Sequence, residues 1–88
     1  MKTVKLNGRF RMYREHRHTV ALRFSGWTAD VARYESACRR HLGSDWGKTS
    51  WFGYFGARNG RSDSRPYWIT FRNEADLTLV LLSAGLTN

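Results

Sequence analysis

Proline and cysteine are nearly missing from this chain, which carries one of each, Pro66 and Cys38, in 88 residues. A lone cysteine closes no internal disulfide, so the small domain stapled by bridges is excluded, and paired-cysteine zinc spacing is absent too. No apolar run approaches the roughly 20 residues that span a bilayer, and no segment has the form of a secretory leader. The expectation is therefore a soluble protein of a reducing compartment, the cytoplasm, with no membrane partner. Glycines are too few around any strand-to-helix junction to cradle a phosphate. "FGYFGARNG" has the glycines but lacks the helix that should follow. Acids are scarce as well, 7 Asp+Glu against 15 Lys+Arg, for a net charge of +8.

That imbalance favours polyanion partners, such as nucleic acid or an anionic membrane surface, and names a class of partner rather than a function. Hydrophobic residues make up 41% of the chain and aromatics 15%. These proportions are well above those of a disordered segment, so a packed core is expected. The length suits one small domain, and neither a linker nor an internal repeat divides residues 1–88.

Two alternating stretches open the chain. From Thr3 to Tyr13, Val4, Leu6, Phe10 and Met12 fall on one side of a period-2 pattern and Lys5, Asn7, Arg9 and Arg11 on the other. After the polar break "REHRH", Val20, Leu22 and Phe24 resume the alternation, which suggests a hairpin. Thr28 then stands as an N-cap, Asp30 lies near the positive end of the helix dipole and Gly43 follows the last turn. Between them Val31, Tyr34, Cys38 and Leu42 form an apolar stripe. "WFGYFGARNG" and "PYWITFR" read as a second strand pair, with Tyr67, Ile69 and Phe71 opposite Trp68, Thr70 and Arg72. Asn73 caps a final helix with a core stripe of Leu77, Val80, Leu81 and Ala84, leaving Leu79 and Leu82 off it. The fold class is α+β. An antiparallel sheet of about four strands carries two helices on one face, in the order β-β-α-β-β-α, and the part from Thr19 onward forms an incomplete ferredoxin-like unit.

The closing segment "YWITFRNEADLTLVLL", Tyr67 to Leu82, runs from an aromatic strand through a Phe-x-Asn/Asp-Glu-x-Asp turn into an apolar helix. In this it resembles the ends of small uncharacterised tailed-phage proteins. The resemblance implies a viral origin, hence a host-cell cytoplasm, and the same strand-to-helix fold. It transfers no active residues.

Chemistry-bearing constellations are few. His16 and His18, two apart on a strand, would project to one side and could share a metal, with Tyr34 as a distant nucleophile. Arg17 between them raises the cost of binding a cation there. Solvated turn histidines, dispensable to the fold, are the expectation. Adding Cys38 and His41 would give four zinc ligands, but the bland reading is a buried thiol on a helix stripe. Glu35, Asp45, Asp63, Glu74 and Asp76 fit caps, turns and surface, with no acid/base pair among them. The sequence therefore reads as a non-enzyme, with no cofactor and no small-molecule substrate implied.

Basic residues interleaved with aromatics remain. If Tyr67, Ile69 and Phe71 face the helices, Trp68 and Arg72 face outward with Phe52 or Tyr54, forming a platform for stacking unpaired bases of RNA or single-stranded DNA. Arg9, Arg11, Arg14, Arg17, Arg58 and Arg61 would hold phosphates. The competing expectation is a protein-interaction module or a virion component. In that reading Leu79 and Leu82 on the last helix engage a host protein or a second copy.

Overall fold

The computed structural model describes residues 1–43, 51–56 and 65–85. Its elements are β1 (Lys2–Lys5), α1 (Arg11–His16), β2 (Val20–Phe24), α2 (Ala29–Leu42), β3 (Trp51–Phe55), β4 (Tyr67–Phe71) and α3 (Glu74–Gly85). The strands form one antiparallel sheet in the order β1-β2-β4-β3. The α+β class, the four-stranded sheet and the two helices on one face are as the residue pattern implies. Because β4 lies between β2 and β3, the segment from β2 to α3 is a split β-α-β unit of the ferredoxin-like kind. The edge beside β2, which the last strand of a complete β-α-β-β-α-β unit occupies, is filled here by β1. Exposed Lys2 and Lys5 lie on that edge and disfavour pairing with another chain.

One face of the sheet makes the main core. Val20, Leu22 and Phe24 of β2, Tyr67, Ile69 and Phe71 of β4 and Trp51 of β3 pack beneath Val31, Tyr34, Ala37 and Cys38 of α2 and Leu77, Val80 and Ala84 of α3. Thr28 and Gly43 bound α2 where the sequence places them. Asn73 caps α3, its Oδ1 accepting the Asp76 amide at 2.9 Å. Glu35 departs from its expected surface role. It is buried on α2, accepts a hydrogen bond from the Tyr67 hydroxyl and pairs with Arg39 at 3.5 Å. Gly53 makes room for this polar contact, since a Cβ there would lie 2.6 Å from both Glu35 Oε2 and the Tyr67 hydroxyl.

The other face departs most from the sequence reading. The first strand stops at Lys5 rather than running on to Tyr13, and residues 6–19 form a strap across the sheet that contains α1. Asn7 starts the turn: its Oδ1 accepts the Arg9 amide at 2.9 Å and its carbonyl accepts the Phe10 amide at 2.9 Å. The helix ends with the Arg17 amide making a last helical bond to the Tyr13 carbonyl at 3.1 Å and the His18 amide reaching back to the Met12 carbonyl at 3.2 Å, so that two of the orphan carbonyls are satisfied. Arg17 takes the left-handed conformation there, at φ 59° and ψ 32°. Under the strap Leu6, Met12 and Ala21 are buried, with Val4, Phe10, Phe52, Tyr54 and Trp68 packed around them.

His18 is the polar anchor of this second core and not a solvated turn residue. It is fully buried, and its Nδ1 lies 2.7 Å from Thr70 Oγ1. Thr70 Oγ1 also lies 3.4 Å from the Phe52 carbonyl, which ties the same hydroxyl to β3. His16 is half-buried and stacks on Phe52, ring centroids 5.9 Å apart at 12°. The expectation that both histidines are dispensable is thus corrected for His18. His18→Ala should lower the unfolding free energy by about 2–4 kcal/mol, the cost of a cavity plus a lost buried hydrogen bond to Thr70. Urea titration measures it, and a loss within experimental error would show that the strap does not depend on this contact.

Candidate nucleic-acid interface

The faces of α1 divide its side chains by function. Met12 and His16, one turn apart, point to the sheet. Arg11 and Glu15, also one turn apart, form an ion pair on one exposed flank. Tyr13, Arg14 and Arg17 are left on the other flank, where with Thr19 they line a groove of about 460 Å³. Tyr13 is 40% exposed. Arg14 is braced by a hydrogen bond from its Nη1 to the Gly8 carbonyl at 3.2 Å. Thr19 donates its hydroxyl to the Arg72 carbonyl at 2.9 Å, which ties this end of the strap to the chain just beyond β4.

Arg9, Arg11, Arg14 and Arg17 therefore share one exposed strap, with Arg9 and Arg11 off the strand face on which the sequence pattern puts them. Arg72 is exposed just beyond β4 and joins them from the far side of Thr19. Arg58 and Arg61 lie outside the described residues. Trp68 does stand on the face opposite Tyr67, Ile69 and Phe71, next to Tyr54 and in line with Arg23 and Lys2 across the sheet. That face is not bare. Trp68 is half-buried, with the Phe10 ring 5.9 Å away and the Arg23 guanidinium 5.8 Å over its own ring. A base approaching this indole meets a surface already occupied. Burial pushes the Tyr54 phenol above its ordinary pKa, partly offset by the nearby Arg11 charge, so Tyr54 remains neutral under the strap at physiological pH. The aromatic that does stand beside open cationic surface is Tyr13, which sequence reasoning passed over. The Asn7–Gly8 pair was the available signal. Read as a turn, it ends the strand early and places Tyr13 on a helix flank between arginines.

The sheet itself separates the residues weighed as zinc ligands. Cys38 is buried among α2, α3 and the main core, whereas His16 and His18 lie on the opposite face. His41 contacts Ser83 on α3 through its Nε2 at 3.0 Å. Among the described residues no three His, Cys, Asp or Glu side chains gather around a common point. None of their helices is long and apolar enough to cross a membrane.

Leu79 and Leu82 are 40% and 55% exposed on α3, off the stripe of Leu77, Val80 and Ala84. A second exposed apolar group joins Trp27 and Phe55, both of which pack edge-on against Tyr67, at 5.1 and 4.9 Å. Comparison with family models, with curated proteins and with solved structures finds no match.

Because Leu79 and Leu82 lie on the solvent side of α3, Leu79→Lys with Leu82→Lys should change the unfolding free energy of the monomer by no more than about 1 kcal/mol. Thermal unfolding at low protein concentration tests this. A collapse of the transition would show that the two leucines are covered.

Proposed function

We propose that this protein is a small non-catalytic nucleic-acid-binding protein that grips the sugar-phosphate backbone with the strap between β1 and β2. The observation that supports this most is the disposition of charge on that strap. Arg9, Arg14 and Arg17 are exposed on it, and Glu15, its one acid, is already paired with Arg11. Lys5, at the end of β1, and Arg72, just beyond β4, are exposed on either side of the start of β2. Guanidinium groups suit this role because their planar forks match phosphate oxygens and stay charged at every physiological pH. Met12 seats α1 on the sheet and so fixes the place of Arg14 on it and of Arg17 at its end, so binding immobilises little additional chain. Such contacts read phosphates rather than base edges, and the expected mode is sequence-tolerant. The tailed-phage resemblance of Tyr67 to Leu82 fits an accessory protein acting on nucleic acid in the cytoplasm of a host cell.

A second reading has its own observation. The exposed leucines of α3 give an apolar surface that carries acids, Glu74 and Asp76, and no basic side chain in its last turn. That surface suits contact with a protein, whether a second copy or a host component.

Counterion release separates the two. Replacing Arg9 and Arg14 by Gln should weaken binding to unrelated nucleic-acid sequences alike, and should reduce the slope of log K against log salt by roughly 0.7–0.9 for each phosphate no longer neutralised. Fluorescence anisotropy across a salt series measures both quantities. Wild-type protein that shows no salt-sensitive binding would remove the nucleic-acid reading and leave the protein-contact reading standing.

A further inference from the structure

Resting on the nucleic-acid reading, we propose that the groove at the C-terminal end of α1 receives one unpaired nucleotide, with its base stacked on Tyr13 and its phosphate held by Arg14 and Arg17. Three features of the groove carry this. Its volume of about 460 Å³ falls within the range of small-molecule sites and is ample for a single nucleotide. Among the described residues its lining is of the right kinds: one exposed aromatic ring, two guanidinium groups and one hydroxyl. The Thr19 hydroxyl has given its proton to the Arg72 carbonyl, so Oγ1 offers the groove only lone pairs, which suit a base N–H or a sugar hydroxyl.

The third feature is the backbone at Arg17. Left-handed φ at the end of a helix is the position glycine fills at least cost. An arginine held there costs about 1 kcal/mol or more, and its side chain leaves the helix where Tyr13 and Arg14 already point. A residue kept at a strained position beside a groove of complementary chemistry is explained by what it binds there.

The site selects the form of the nucleic acid as well as its charge. A base inside a duplex is stacked on both faces and cannot reach a ring set in a groove, while an unpaired base can. Single strands should therefore bind through stacking and phosphates together, and duplexes through phosphates alone.

The experiment compares a short oligouridylate with an RNA duplex of equal length at one salt concentration, using wild type, Tyr13→Ala and Tyr13→Phe. Tyr13 is exposed on a helix, so both variants should fold, which circular dichroism checks. Tyr13→Ala should weaken oligouridylate binding roughly 5- to 150-fold, the range expected for removal of one base–aromatic stack. Duplex affinity and the salt slope should stay at the wild-type values, and Tyr13→Phe should retain single-strand affinity because the π-face is kept. If Tyr13→Ala binds both probes as wild type does, or loses affinity for both equally, the groove holds no base, although backbone binding still stands. If wild type binds neither probe, the nucleic-acid reading itself fails and takes the groove with it.

Discussion

The hydrogen bond between His18 and Thr70 joins the strap to the centre of the sheet, and the arrangement of the cationic surface depends on it. Four strands with helices on one side leave a second apolar face that must be hidden. Here the cover is a fourteen-residue connection, 6–19, rather than a third long helix. Leu6 and Met12 supply its apolar contact with Ala21, while His18 fills a fully buried polar position. A buried imidazole without a partner would be costly, so Thr70 and the turn of chain that delivers His18 constrain each other. With Met12 and His18 fixed, the exposed directions of Tyr13 and Arg14 follow from helix geometry, and that of Arg17 from the left-handed turn that ends the helix.

Much of this fold is written in local pattern. The alternations Val20/Leu22/Phe24 and Tyr67/Ile69/Phe71 name the core face of the two central strands, and Thr28, Gly43 and Asn73 mark helix limits. The strap was not legible in the same way. Leu6, Phe10 and Met12 satisfy a period of two, and a six-residue helix is too short to impose a period of 3.6 against it. The helix stop carries Arg17 where a glycine would have announced it. His18 acquires its role from Thr70, 52 residues away in sequence, and no local window contains both. Glu35 is a similar case. Its burial depends on a tyrosine 32 residues distant and on the absence of a side chain at Gly53.

The candidate site shows the same division. Composition states that the protein is cationic, and the first quarter of the sequence states where. Which cations remain available is a matter of packing. Arg11 is matched by Glu15, Arg33 by Asp30 and Arg39 by buried Glu35, each pair one helical turn apart. Arg23 covers the Trp68 ring. Sequence reasoning placed base stacking on Trp68 because period 2 turns that residue away from the main core. The strap then occupies that side and transfers the exposed aromatic to Tyr13.

Arg17 offers the most direct test of the claim that the strap exists to present cations, because its fold role and its binding role have opposite signs. Glycine relieves the left-handed backbone at this position and loses somewhat more entropy on folding, two terms of about 1 kcal/mol that nearly cancel or favour glycine. Thermal unfolding of Arg17→Gly, measured alongside nucleic-acid affinity on the same sample, should give a midpoint equal to or above that of wild type and a clear loss of affinity. An unchanged affinity, or a midpoint that falls together with it, would contradict the account.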